Sequence, residues 1–302
     1  LSSELSLMWT WHRIIIGDSR YMREVEDESV HLVVTSPPYP MIEIWDPLFR
    51  GLGCRDYDEM HEYLAEVWRE CYRVLVDGGI ACINIGDAAR TVDGEFKIYP
   101  NHARVIENCE RIGFKTLPYI LWKKPTTKPK YKGKGVFLGS GFLPPNAYVT
   151  LDCEFILIFR KNGLRRFKPR DRLRYASRFT KQERDSWFTQ IWTDTGARQS
   201  IGMVERRAAA FPESIPYKLI RMFSIIGDTV LDPFLGTGTT TKVALSLNRN
   251  SIGYEIDKGL LRIIKKKIEL SEKMKRQSLF KVEVIVREDA GGSEVARGSS
   301  FT

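Results

Sequence analysis

Histidine is scarce in this 302-residue chain, and what there is stands apart. His12, His31, His61 and His102 have no metal-ligand spacing and no cysteine partner nearby, so no zinc site is expected. The five cysteines, at 54, 71, 82, 109 and 153, are odd in number, scattered, and form no Cys-x-x-Cys pair. That excludes a disulfide framework and fits reduced thiols in a cytoplasm. No apolar run reaches membrane-spanning length, and the first residues lack the basic-then-apolar layout of a signal peptide, so a soluble, intracellular protein is expected. No internal repeat is present.

Positive charge is in excess, and it is concentrated. The formal net charge is +9, yet residues 123 to 185 hold 17 Lys/Arg against 5 Asp/Glu, a net of +12, which leaves about −3 for the remainder. One basic region on a near-neutral body suggests a polyanion partner with a local footprint. A solvated charged face is the plainer alternative, and the aromatics interleaved with the charges weigh against it.

Two stretches carry the chemistry. In Val33-Val34-Thr35-Ser36-Pro37-Pro38-Tyr39 a β-branched run ends in a hydroxyl, two prolines and an aromatic ring. This places a stiff loop at the carboxyl end of a buried strand, with carbonyls and the Ser36 hydroxyl free to accept hydrogen bonds and Tyr39 offering a flat apolar face. Such a loop suits an amino group on a planar ring. In Val230-Leu231-Asp232-Pro233-Phe234-Leu235-Gly236-Thr237-Gly238-Thr239-Thr240 a second buried strand ends in a glycine-punctuated turn that opens a helix. Gly236 and Gly238 let the backbone approach a ligand, and the helix from Thr239 aims its first amides at it. Glu255, at the end of the next strand, can accept both ribose hydroxyls of a nucleoside. That geometry also serves NAD, but Gly236-x-Gly238-x-x-Thr241 lacks the third glycine of the dinucleotide fingerprint.

Together the two stretches resemble the amino-methylating DNA methyltransferases that use S-adenosylmethionine, specifically the beta subgroup, in which the catalytic loop precedes the cofactor loop. The resemblance covers about Ile14 to Lys275. It implies a Rossmann-like methyltransferase fold with a seven-stranded, mostly parallel sheet in circularly permuted motif order. It also implies catalytic roles for Ser36, Pro37, Pro38 and Tyr39. Asp232, Pro233, Phe234, Gly236, Gly238, Thr239 and Glu255 would hold the cofactor, and Asp18 would contact its adenine, although Asp18 equally suits the N-cap of a helix over residues 19 to 24. Phe211, Pro212, Glu213 and Ser214 would line the methionine pocket and cap the following helix. Relatives often carry His-Pro ahead of that segment, where this chain has Arg207 and Ala208, and Asp where this chain has His31.

The rest of the chain agrees with a doubly wound α/β class. Short apolar strands are expected at Arg13–Ile16, Val30–Thr35, Ile80–Ile85, residues 116–122, Glu154–Arg160, the run ending at Leu231, and Ser251–Tyr254. An amphipathic helix through Met60, Tyr63, Leu64, Val67, Trp68, Cys71, Val74 and Leu75 is stopped by Asp77-Gly78-Gly79, and another helix covers 101 to 112. Residues 40 to 58 look like an ordered loop in which Trp45, Phe49 and Tyr57 serve either DNA contact or core packing. Trp9 and Trp11 are expected to pack on the body. Phe280–Val286 reads as an edge strand before a Gly/Ser-rich end that looks disordered. The divisions are 1–122, the catalytic half; 123–200, a basic recognition region that includes a core strand; 201–275, the cofactor half; and 276–302, an edge strand and tail.

Candidate DNA contacts are Lys128, Lys130, Lys132 and Lys134, among Pro, Gly and Tyr131, and then Arg165, Arg166, Arg170, Arg172 and Arg174. The expected partner is double-stranded DNA. A cognate restriction endonuclease, and the choice of monomer or homodimer, stay open. None of the cysteines follows a proline, which argues against the Pro-Cys nucleophile of carbon-5 cytosine enzymes. Protein-glutamine and several RNA enzymes place Asn first in the tetrapeptide and the cofactor loop ahead of it, unlike this chain. A dead site would be expected to lose an acid or glycine, and all are present. Serine at the first position favours N4-cytosine over N6-adenine as the target.

Overall fold

The computed structural model describes residues 9–124, 145, 149, 151–194, 211–274 and 280–288. Lys128, Lys130, Lys132, Lys134, Tyr131, Arg207 and Ala208 lie outside these residues.

The strands are Thr10–Ile16 (β1), Val30–Thr35 (β2), Leu75–Ile85 (β3), Ala88–Val92 (β4), Glu95–Tyr99 (β5), Lys115–Lys123 (β6), Cys153–Arg160 (β7), Ile191–Trp192 (β8), Thr229–Asp232 (β9), Asn250–Glu255 (β10) and Phe280–Val286 (β11). The helices are Asp46–Gly51 (α1), Tyr57–Val74 (α2), Asn101–Ile112 (α3), Arg172–Ala176 (α4), Lys181–Trp187 (α5), Ser214–Phe223 (α6), Thr239–Ser246 (α7) and Leu261–Met274 (α8). Nine strands form one sheet in the order β11-β1-β10-β9-β2-β3-β7-β6-β8, and β4 pairs with β5 in a separate hairpin. All neighbours in the large sheet are parallel except β7, which runs against both β3 and β6.

The expected seven strands are its inner run, β1 to β6 in that spatial order. The count is corrected by the two-residue β8 at one edge and β11 at the other, the second as read from sequence. β2 is buried along both faces apart from His31, which is why its sequence is a continuous apolar run rather than an alternating one. Its side chains divide strictly. Val33 enters the core beneath α2 and α3, with Leu64, Val67, Trp68, Val105 and Cys109, while Leu32 and Val34 enter the core beneath α6 and α7, with Ile215, Leu219, Val243 and Ala244. Two packed layers thus hold the central strands still. Truncating one fully buried member, such as Leu64→Ala, is expected to cost about 2–5 kcal/mol.

Several boundaries differ from the sequence reading. Asp56 caps α2 by accepting from Glu59 N at 2.9 Å, but the helix ends at Val74 and β3 begins at Leu75. Asp77-Gly78-Gly79 therefore lies inside the strand, where the register with β2 shifts. No helix forms over 19 to 24: Glu70 accepts from Met22 N, and Arg73 donates to the carbonyls of Met22 and Val25, so these turns are held from α2. Residues 40 to 58 contain a 3-10 turn, Glu43–Trp45, and α1 instead of a plain loop. Trp9 is exposed, whereas Trp11 packs against the core.

Candidate active site

β2 and β9 are adjacent and parallel, so the Ser-Pro-Pro-Tyr loop and the glycine loop leave the sheet at the same end, side by side. Thr35 Oγ1 donates to Asp232 Oδ1 at 2.7 Å. Asp232 also accepts from Thr240 Oγ1 at 2.6 Å and Phe234 N at 3.1 Å. Burial pushes its carboxyl up to about 6 despite these donors, because removing a charge from water outweighs what three hydrogen bonds return.

The glycine loop is shaped by backbone conformation. Gly236 and Gly238 both have positive φ, 55° and 85°, a region that L side chains enter only with strain. Gly238 thereby precedes α7 and turns its first amides toward the loop. Glu255 Oε2 accepts from Gly236 N and its Oε1 from Asp257 N, each at 2.8 Å. This buried carboxylate is pushed up to about 7, chiefly by desolvation. It has four acceptor positions and spends two on these amides, which leaves two for a pair of hydroxyls. On the other side, Lys267 Nζ from α8 donates to Thr237 Oγ1 at 2.6 Å. The loop is fastened from both flanks, as a ligand cradle must be.

A cavity of about 350 Å³ spans both loops, lined by Ser36, Pro37 and Tyr39 on one side and by Phe211, Asp232, Phe234, Gly236, Thr237, Thr239 and Thr240 on the other. Its size is within the range of small-molecule sites. Apolar rings, free backbone and buried acids fit the expected nucleoside cofactor. Of the other expected cofactor residues, Pro233, Gly238 and Glu255 stand behind this wall. Asp18 does not line it: its carboxylate is paired with Arg20 at 2.8 Å, and no helix follows for it to cap. Glu213 pairs with Lys242, and Pro212 does not line the cavity. Ser214 begins α6 but makes no capping bond, and its hydroxyl is buried without a partner among the described residues. Pro38 is buried beside Pro37.

The Ser-Pro-Pro-Tyr side of the cavity holds side chains that the sequence did not single out. Tyr39 is half-buried, and its hydroxyl donates to Glu154 Oε2 at 2.9 Å while Asn84 Nδ2 donates to it at 2.8 Å. Burial and the Glu154 charge hold this phenol well above its usual range. Lys124 pairs with the other oxygen of Glu154 and stands over the Trp122 ring at 5.2 Å. Asp87, also in the cavity wall, accepts from His102 N at 3.1 Å. Trp45 lines the cavity too, whereas Phe49 is fully buried and Tyr57 packs edge-on to Tyr99. A sequence signal for Glu154 existed: it is an acid at the head of an otherwise apolar strand.

The arginines are not gathered here. β7 runs from Cys153 at the cavity to Arg160 beside Ile80, so the chain after it emerges at the amino ends of the parallel strands. Arg165 is spent on Asp228 in a two-pronged ion pair, just ahead of β9. Arg165 and Arg174 both stand over the Phe167 ring, at 4.9 and 4.5 Å. Arg166, Arg170 and Arg172 belong to the same segment, whose Ser177 hydroxyl bonds Ile226 N. These five candidate DNA contacts therefore do not adjoin the cavity, because the reversed strand delivers them to the opposite end of the sheet.

Comparison with known proteins agrees with this geometry. The profile of a family described as DNA methylase, of the N6/N4 type, matches residues 30–266. The chain is 61% identical over 287 residues to the type II methyltransferase M.MjaI of Methanocaldococcus jannaschii, covering 87% of this chain and 93% of that protein. It is 46% identical over 292 residues to the type II methyltransferase M.MthZI of Methanothermobacter thermautotrophicus, covering 91% and 81%. Among solved structures, TTHA0409 of Thermus thermophilus, described as a putative DNA modification methylase and crystallised with S-adenosyl-L-methionine, superposes with a TM-score of 0.71. Its identity is 33%, over 91% of this chain and 99% of that one. By profile, by sequence and by fold, the chain belongs to the N6/N4 DNA methylase family.

Proposed function

We propose that this DNA methyltransferase moves the methyl group of S-adenosylmethionine to the exocyclic N4 amino group of a cytosine flipped out of double-stranded DNA, as a member of the beta, permuted subgroup. The observation that carries this reading is the single cavity walled by Ser36, Pro37 and Tyr39 on one side and the Asp232–Thr240 loop on the other. A base and a nucleoside cofactor held there would meet. The cofactor supplies a methyl group on a positively charged sulfur.

The residues of the chain do the remainder. The amino nitrogen of cytosine is a poor nucleophile because its lone pair is delocalised into the ring. In this reading Ser36 and the Pro37 carbonyl, both of residues that line the cavity, accept its two hydrogens and draw the nitrogen toward a tetrahedral shape as the new bond forms. The Tyr39 ring offers the flipped base a stacking face, which offsets part of the few kcal/mol, roughly, that unstacking and unpairing cost. Asp232, Gly236 and Glu255 position the cofactor. The basic segment containing Lys128, Lys130, Lys132 and Lys134 would hold phosphates, since its flanking residues Lys124 and Leu151 line the cavity.

Serine at the head of the tetrapeptide selects cytosine in this reading, being a neutral acceptor where adenine enzymes mostly have Asp or Asn. A cognate restriction endonuclease is the proposed companion, as the type II names of both relatives suggest. Five free thiols, four of them buried, suit a cytoplasmic setting, and among the described residues no helix is long and apolar enough to cross a membrane. Mass spectrometry of nucleosides from DNA treated with enzyme and cofactor tests the proposal. N4-methylcytosine is expected; N6-methyladenine as the only product would replace the target but keep the loop mechanism, and neither base would end the reading.

A further inference from the structure

The hydroxyl of Tyr39 is fully committed. It donates to Glu154 Oε2 at 2.9 Å, accepts from Asn84 Nδ2 at 2.8 Å, and meets Ser36 Oγ at 3.2 Å. An ionised carboxylate can only accept and an amide N–H can only donate, so these two partners use the phenol's one proton and one of its lone pairs. A single polarity is left for the third contact: Ser36 donates and Tyr39 accepts. With its proton turned away, Ser36 Oγ keeps lone pairs for the cavity it lines.

The orientation of Asn84 is itself set by the acid. Its Nδ2 also donates to Glu154 Oε2 at 2.8 Å, and turning the amide over would set an oxygen against the carboxylate. Glycine at 86 makes room for the arrangement, since a Cβ there would stand 3.1 Å from the Tyr39 ring and 3.2 Å from Glu154 Cγ.

We propose that Glu154 is a positioning residue for methyl transfer: acting through Tyr39, it fixes Ser36 as a hydrogen-bond acceptor for the target amino group and receives the proton which that group releases. This rests on the amino-methyltransferase reading above. As the amino nitrogen bonds the methyl carbon, the carbon–sulfur bond breaks and its electron pair stays on sulfur. The surplus N–H proton passes to Ser36 Oγ, Ser36 passes its own to Tyr39, and Tyr39 passes its own to Glu154, which ends neutral. No step requires a free serine alkoxide or a free phenolate. A neutral serine thereby does the work for which a carboxylate at the same place would serve directly.

Among the described residues, the charged and titratable groups around Glu154 are Lys124 just after β6, Tyr39 from the loop after β2, Cys153 on its own strand and Asp152 just before it. Asp87, bonded to His102, lines the same cavity.

Single-turnover methylation at saturating cofactor and DNA tests the relay. Glu154→Gln and Tyr39→Phe each interrupt it and are expected to slow the step by about 100-fold or more, the usual scale of positioned proton transfer. The double variant should be no slower than either single one, because both cut one chain. Cofactor and DNA dissociation constants should not move. Glu154→Asp should recover part of the rate. In NMR spectra of tyrosine-labelled protein, the Tyr39 phenol, identified by its loss in Tyr39→Phe, should titrate at lower pH once Glu154 is neutral. A near-wild-type rate in either single variant, or multiplying losses in the double, would overturn the proposal. If Glu154→Gln fails to bind cofactor, the rate of Tyr39→Phe decides alone, since that variant keeps the ring and loses only the hydroxyl. Wild-type protein that methylates neither cytosine nor adenine would instead remove the underlying reading.

Discussion

Thr35 and Asp232 are 197 residues apart in the chain and joined by a 2.7 Å hydrogen bond at the centre of the sheet. Thr35 is the last residue of β2 and Asp232 the last of β9, so the bond ties the root of the Ser-Pro-Pro-Tyr loop to the root of the glycine loop. Both groups are buried. Thr35→Val keeps the shape and deletes the donor, leaving a raised carboxyl with one partner fewer. Chemical denaturation is expected to show a loss of about 1–3 kcal/mol, accompanied by weaker cofactor binding in calorimetry. A stable variant with unchanged affinity would mean that the two loops are positioned independently.

Cofactor affinity should depend on pH through Glu255. Its carboxyl lies at about 7 in the folded, ligand-free protein against 4.5 as the ordinary value. A raised carboxyl favours the folded state when protonated, so that contribution is present below about 4.5 and is lost as pH rises through about 7. Ribose hydroxyls and a positive sulfur reverse the preference, because they call for the ionised acceptor. Affinity measured by calorimetry should therefore be greatest above pH 7 and decline by about tenfold per unit below it. Glu255→Gln should bind weakly with a flat profile, since one of its two amide partners would then face an N–H. A wild-type affinity that rises on acidification would refute this assignment.

Gly236→Val should abolish cofactor binding while the fold persists. No side chain obstructs the position, the nearest atom being the Phe234 carbonyl at 4.0 Å. The penalty is conformational: a β-branched residue at φ 55° costs about 1–3 kcal/mol. Relieving it would rotate the amide that Glu255 holds. Unchanged calorimetric affinity would place the cofactor elsewhere.

The two basic groups should behave differently. Lys130→Ala with Lys132→Ala is expected to weaken DNA binding and lower the salt slope by about one unit for each phosphate no longer neutralised. Arg170→Ala with Arg172→Ala should leave the slope unchanged, because that segment lies at the opposite end of the sheet. An equal fall in both pairs would show that DNA wraps around to that end.

The parts of this molecule that could be read from sequence were those decided locally. β2 and the run into Asp232 announced themselves by continuous apolar residues, and both loops by their turn chemistry. The β4–β5 hairpin went unread, although Asp93-Gly94 carries a turn signal and both residues have the positive φ that such a turn demands. The place of Glu154 in the cavity wall, and of the arginines away from it, went unread for one shared reason, the direction of β7. Sequence shows that a strand is present and not which way it points. Reversal sends its first acid to the cavity and its following basic residues away from it. The missing helix at 19 to 24 has another cause, since Glu70 and Arg73 impose turns on residues whose own pattern is helical.

The same reversal brings the chain back to its starting point. Lys124 N donates to the Asp152 carbonyl at 2.9 Å, so the stretch between β6 and β7 is closed at its base, beside the cavity, by a backbone bond. Whatever lies between those two residues can lengthen, shorten or change composition without moving a strand, because doubling such a loop costs only about 0.6 kcal/mol in closure entropy. On the proposed role of this stretch in recognition, target preference could be exchanged as a cassette on a clasp, with the two cavity loops left as they are.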